Sequence, residues 1–186
     1  MQFRHATTLL LWLIASLAGP GQPRARAQEV VPSEYELKAA FLFNFARFVE
    51  WPAATFREPG APFVIGVFGD NPFGDGLEKS VHGKAINGHA LVVRQFKTLS
   101  EIKDCQILFI SQSEKKRTAE VLKVLDRKPV LTVSEVDRFM QRGLMVNFFT
   151  EGNKVRFDIN AEVAKKAELR ISSKLRNLAR RQEGEK

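Results

Sequence analysis

Ser33-Glu-Tyr-Glu-Leu-Lys-Ala-Ala-Phe-Leu-Phe-Asn-Phe-Ala-Arg-Phe-Val-Glu-Trp-Pro52 is the stretch on which the fold turns. Ser33 with Glu36 three residues on makes a capping box and Pro52 marks a stop, so the spacing predicts one amphipathic helix between them. At about 100° per residue, Leu37, Phe41, Phe45 and Phe48 fall on one stripe, which requires a large apolar surface such as a sheet. Two residues break the pattern. Asn44 falls inside the apolar face, where an unpaired amide costs roughly 1–3 kcal/mol, so it is expected to bond a neighbouring loop and pin the helix to the sheet. Phe43 falls on the polar side near Arg47 and Glu50, and is either covered by another part of the fold or left for a partner. Trp51, beside Pro52, reads as a structural stop covering the sheet edge, although tryptophan also favours interface anchors.

Upstream of this helix lie Arg4 and His5, an apolar run from Ala6 to Ala18, and the small-residue site Ala25-Arg26-Ala27. Together they read as a cleaved secretory signal peptide over residues 1–27. The run is short for a bilayer span, and no later stretch is longer. The expectation is therefore an exported, soluble protein of residues 28–186, folded as a single α/β domain. The formal charge of +8 drops to +5 when Arg4, Arg24 and Arg26 leave with the leader. From Lys165 onward eight basic residues stand against three glutamates, so the excess sits at the C-terminal end and the body is near neutral. Export argues against nucleic acid. The basic end is a solvated helix face, or a contact with an anionic membrane surface or an acidic partner. Cys105 is the single cysteine and opens an apolar run to Ile110, which predicts a buried, inert thiol rather than an intermolecular bridge.

Pro62 to Phe68 is apolar on both faces and reads as a buried parallel strand, ending in Gly69-Asp-Asn-Pro-Phe-Gly74. A short helix follows from about Asp75 to Val81. Asn87-Gly88 signals a tight turn joining Lys84–Ile86 to His89–Phe96. A helical piece near Ser100 leads into a strand from Cys105 to Ile110, and Ser111 and Ser113 cap a helix to about Asp126. Val130 to Val133 is the next strand. Ser134 is read as the cap of a helix with Glu135 and Asp137 in its first turn and Gly143 at its end. Leu144–Phe149 and Lys154–Ile159 form a hairpin through Thr150-Glu-Gly-Asn153. Asn160 caps a helix to about Ala167, and Ser172-Ser173 opens a last one carrying Leu175, Leu178 and Ala179 inward. The alternation implies a three-layer α/β fold: a mainly parallel sheet with flanking helices and a C-terminal antiparallel hairpin.

No catalytic constellation emerges. Beyond the leader there are two histidines, His82 and His89, read as exposed turn residues, and no Gly-x-Ser-x-Gly elbow. No cysteine or aspartate lies at ligand spacing with those histidines, so no metal or cofactor is expected. Gly69, Asp70 and Asn71 with Ser111 sit where open α/β sheets bind ligands, beyond the carboxyl ends of strands. This loop lacks the Gly-x-Gly-x-x-Gly spacing, and Pro72 removes one backbone donor, so it is either a tight turn or a small-ligand contact.

Four segments together resemble one family: Lys38 to Pro52, Phe63 to Asp70, Cys105 to Ser111, and Arg156 to Asn160 with Ile171 to Leu175. In that order they are similar to the YfiR family of exported bacterial proteins, over essentially all of the chain after the leader. The resemblance implies a periplasmic regulator without catalytic activity, similar in fold to half of a periplasmic binding protein. It implies as partner the periplasmic domain of an inner-membrane diguanylate cyclase or sensor kinase, which the regulator holds inactive, lowering cyclic di-GMP and biofilm formation. An outer-membrane lipoprotein that sequesters the regulator, and a homodimer, are implied in the same way. With one cysteine, this chain lacks the pairs needed for redox control by an intramolecular disulfide. Phe43, Arg47 and Glu50, with Phe73, are the expected partner surface. The alternative is a small-ligand module using the Gly69–Gly74 loop and Ser111, feeding a sensor kinase or transporter.

Overall fold

The computed structural model describes residues 32–179 apart from Arg57 and Pro59, and the leader read over residues 1–27 lies outside them. Helix α1 (Glu34–Phe48) opens on the predicted box. Ser33 Oγ accepts from the Glu36 amide at 3.3 Å, and the Glu36 carboxylate accepts from the Ser33 amide at 2.6 Å. The helix ends four residues before Pro52. Val49 and Glu50 leave it extended as strand β1 (Val49–Glu50) and pair antiparallel with β9 (Arg170–Ile171), while the Ser172 amide donates to the Phe48 carbonyl at 3.0 Å. This long-range ladder supplies the backbone partners that a further helical turn would have supplied. Trp51 thus stands beyond the helix, with Nε1–H on the Gln106 carbonyl and its ring edge-on to Phe63 at 4.9 Å.

The buried face of α1 is also displaced from the expected stripe. Ala39, Leu42, Phe45 and Ala46 are buried, whereas Leu37 is 37% exposed and Phe41 and Phe48 are only half-buried. Two alanines on the contact line let the helix approach the sheet closely, and the larger rings then pack along its flank. Asn44 is half-buried rather than enclosed, and among the described residues its side chain makes no hydrogen bond, so it does not pin the helix.

The main sheet contains β2 (Phe63–Phe68), β3 (Ala85–Ile86), β4 (His89–Phe96), β5 (Ile107–Ile110), β6 (Leu131–Ser134), β7 (Val146–Glu151) and β8 (Lys154–Ile159). Its order is β3-β4-β2-β5-β6-β7-β8, parallel from β4 to β7 and antiparallel at both ends. Side chains alternate between two cores. Phe63, Ile65 and Val67 point to the layer of α1, α2 (Gly76–Val81), α5 (Ala161–Lys166) and α6 (Ser173–Leu178). Val64 and Phe68 point to the layer of α3 (Thr118–Val124) and α4 (Phe139–Arg142). Gly66 in mid-strand has a packing reason, since a Cβ there would lie 2.3 Å from the Phe96 ring. The two hairpin turns have positive φ at both central residues, Asn87-Gly88 and Gly152-Asn153, as a type I′ turn requires. Asn160 and Ser172 cap their helices as read.

Three further elements differ from the sequence-based expectation. Residues near Ser100 form turns rather than a helix. Ser134 ends β6 instead of capping a helix: its hydroxyl donates to Asn147 Oδ1 at 2.8 Å, and α4 is a single turn beginning five residues later. Leu178 is 58% exposed, because the short α6 buries only Leu175. Cys105 is buried with its thiol on the Ile102 carbonyl, and burial pushes the thiol far above its ordinary range. No helix among the described residues is long and apolar enough to cross a membrane.

Candidate functional site

The outer flank of α1 carries an alternating row of cations and rings. Lys84 Nζ lies 4.1 Å from the centroid of the Phe43 ring, and the Arg47 guanidinium lies 5.8 Å from Phe43 and 5.4 Å from Phe48. Lys174 Nζ is 4.9 Å from Phe48. The row draws on three places: α1, the turn before β3, and the first turn of α6. Phe43 and Phe48 pack their inner edges on the core and are half-buried, while Lys84, Arg47 and Lys174 are exposed. Phe43 is therefore covered in part by its own fold, through a cation rather than through an apolar lid. Glu50 is exposed on β1 opposite Arg170 of β9. Phe73 does not belong to this surface. It is buried, edge-on to Tyr35 at 5.5 Å and to Phe109 at 4.8 Å, and is a core residue.

The loop Gly69 to Gly74 stands at the switch point of the sheet, where β2 pairs with β4 on one side and β5 on the other. Its polar groups are taken up internally. The Asp70 amide donates to Ser113 Oγ at 3.0 Å, and Gln95 Nε2 donates to the Gly69 carbonyl at 3.0 Å. Asn71 Oδ1 accepts from the Phe73 amide at 2.9 Å while its Nδ2 donates to the Gly74 carbonyl at 3.0 Å. Gly69 has φ of 91°, and a Cβ there would lie 2.5 Å from both Ser113 and Glu114. Ser111 is buried, with its hydroxyl capping the turn that follows β5. The structure brings Gly69, Asp70 and Ser111 together, as the sequence places them, around a turn that closes on itself. Of the two histidines, His82 is exposed as read. His89 is not, for its Nδ1 is 2.6 Å from the Ala61 carbonyl and its ring stacks on Phe56 at 3.9 Å.

Two polar features were missed by sequence reasoning. Lys38 is buried against Glu135, with Glu34 at 2.5 Å, and its ammonium lies 4.5 Å from the Tyr35 ring centroid. Tyr35 Oη–H donates to Glu135 at 3.0 Å. Burial acts to lower the Lys38 pKa, but the hydrogen bonds that its ammonium donates to Glu135 and Glu34 outweigh it and hold the group above the ordinary lysine range. Burial and the Glu135 contact raise Tyr35. The second feature is Asn147, whose Oδ1 accepts from both the Ser134 hydroxyl and the Val136 amide at 2.8 Å. It sits in the wall of a cavity of about 340 Å3 that Arg138, Phe139, Phe149 and Asp158 also line. Lys38 gave a signal, as a lone charge between apolar residues on a helix, but its partner lies 97 residues away. Among the described residues, no three His, Cys, Asp or Glu side chains gather to hold a metal.

A family model described as YfiR/HmsC-like matches residues 35–180 of the chain, from the first turn of α1 to just past the end of α6.

Proposed function

We propose, on the premise that the chain belongs to the YfiR/HmsC-like family, that it is a non-enzymatic periplasmic regulator of an inner-membrane signalling enzyme. In this reading it binds the periplasmic domain of a diguanylate cyclase and holds the enzyme inactive, which lowers cyclic di-GMP and biofilm formation. Inhibition then follows from a higher affinity for the inactive state than for the active one. The observation that carries the reading is the family match over residues 35–180. The exposed outer flank of α1, with Phe43 and Arg47 and with Glu50 just beyond, supports it as a surface for a protein partner. A homodimer and a sequestering outer-membrane lipoprotein belong to the same proposal.

A second reading, a small-ligand module, is favoured by the cavity beside Asn147 rather than by the closed turn at Gly69. The discriminating experiment is capture of membrane proteins from a detergent-solubilised extract of the source organism on the immobilised protein. Recovery of a GGDEF-domain protein, with cellular cyclic di-GMP rising when the chain is deleted, is the expected result. Unchanged cyclic di-GMP together with a saturable rise in melting temperature on adding a metabolite would replace it with the ligand reading.

A further inference from the structure

Three cations on one face lack carboxylate partners. Arg47, Lys84 and Lys174 make no ion pair among the described residues, although six such pairs form elsewhere on the same structure. Each is instead held over an aromatic ring: Lys84 over Phe43, Lys174 over Phe48, and Arg47 between the two. A ring contact does not neutralise the charge it holds, so the row presents positive charge beside half-buried rings. Glu50, at the end of the same stretch, stands opposite Arg170 in the β1–β9 ladder and forms no ion pair with the three row cations.

The chemistry of the row, three cations beside two rings, calls for carboxylates on the partner. A lipid surface fits less well, because the rings that would enter the acyl region have ammonium groups over their faces and would have to carry those charges in with them.

We infer that the row Lys84–Phe43–Arg47–Phe48–Lys174 is a docking surface for an acidic segment of a protein partner, its carboxylates meeting the three cations beside the rings. This rests on the regulatory reading for the partner's identity, while the surface itself can be tested apart from it.

The probe is fluorescein-labelled hexaglutamate titrated with the purified protein and followed by anisotropy, with hexalysine as the opposite-charge control. Binding is expected for hexaglutamate alone, weakening as salt is raised to roughly 0.15 M. Arg47→Gln, Lys84→Gln and Lys174→Gln should each weaken it by about two- to fivefold, and the triple variant by more than tenfold. The off-site triple Lys115→Gln, Lys116→Gln, Lys123→Gln on the opposite layer should change it by less than about twofold. All six side chains are on the surface, so folding is checked by an unchanged thermal transition. Equal binding by the two triples, or no binding of hexaglutamate, overturns the inference. So does flotation with phosphatidylglycerol vesicles that the Gln triple abolishes while hexaglutamate stays unbound. Capture of the membrane enzyme by the Gln triple as well as by the unaltered protein overturns the surface and leaves the regulatory reading intact. Absence of any captured enzyme with the unaltered protein counts against the regulatory reading, and the peptide titration then judges the surface alone.

Discussion

Replacing Glu135 with alanine tests whether the buried charge cluster ties α1 to the sheet. The Lys38 side chain is 3% exposed and that of Glu135 9%, whereas Glu34, the other carboxylate on Lys38, is 48% exposed. Breaking a fully buried pair costs about 3–5 kcal/mol, because the surviving charge is left desolvated. Here Glu34 remains and water reaches it, so roughly 2–3 kcal/mol is the expected loss, with Tyr35 Oη also deprived of its acceptor. For a domain of this size each kcal/mol moves the midpoint by about 2–4 °C, so the thermal transition should fall by about 4–12 °C. Urea titration of the single variants and the pair completes the cycle. Lys38→Met/Glu135→Ala should recover part of the loss, since methionine keeps the stem's packing and removes the orphaned ammonium. A loss below about 0.5 kcal/mol for Glu135→Ala, or a pair less stable than that single variant, would refute the argument.

Asn147→Ala should cost about 2–3 kcal/mol in urea titration, since two buried donors, the Ser134 hydroxyl and the Val136 amide, lose their acceptor together. Gly66→Ala should cost about 1–3 kcal/mol, because a Cβ at 2.3 Å from the Phe96 ring forces that ring off its rotamer. Above about pH 10 stability should fall: Lys38 and Tyr35 both have raised pKa values in the fold, so the folded state holds protons that the unfolded chain releases first. Their contribution is complete below the unfolded values and lost as pH climbs through the folded ones, and Glu135→Gln should flatten that alkaline limb in thermal scans. Phe43→Ala should lower stability by only about 1–2 kcal/mol, less than a fully buried phenylalanine, while removing the ring that positions Lys84.

The layered sheet was legible because its signals are local. Short runs apolar on both faces, Asn87-Gly88, and the caps at Ser33, Asn160 and Ser172 each act within a few residues of themselves. What escaped reading depends on distant partners. The end of α1 is decided by a ladder to Ile171, more than a hundred residues on, so Pro52 was a sound stop signal in the wrong place. The stripe through Leu37, Phe41, Phe45 and Phe48 treated size as burial. On the sheet the small Ala39 and Ala46 share the contact line with Leu42 and Phe45, and Phe41 and Phe48 pack beside it. Phe73 was placed at the surface for being in a polar loop, yet the Asx turn at Asn71 folds it inward onto Phe109. Helical phase puts Phe43 and Arg47 on the outer side of α1, where Arg47 is exposed and Phe43 half-buried, while Glu50, read as helical, is exposed on β1. Lys84 and Lys174 were invisible as their neighbours because only the tertiary fold brings three separate segments to one flank.

Polar groups are used in opposite ways at the switch point of the sheet and on the flank of α1. At the switch point, where an open α/β sheet ordinarily receives a ligand, amides and side chains of Gly69 to Ser113 are bonded to one another, so a ligand would have to displace bonds already made. On the flank of α1 the reverse holds: charges stand beside rings and remain unneutralised. The crevice is thus satisfied internally, while the aromatic and cationic ridge keeps charges without carboxylate partners among the described residues. The same helix supplies both halves of that arrangement, burying Ala39, Leu42, Phe45 and Ala46 on the sheet while presenting Phe43, Arg47 and Phe48 outward. Substitutions on its two faces should therefore separate stability from binding, which is the behaviour a binding protein needs and a catalytic pocket does not require.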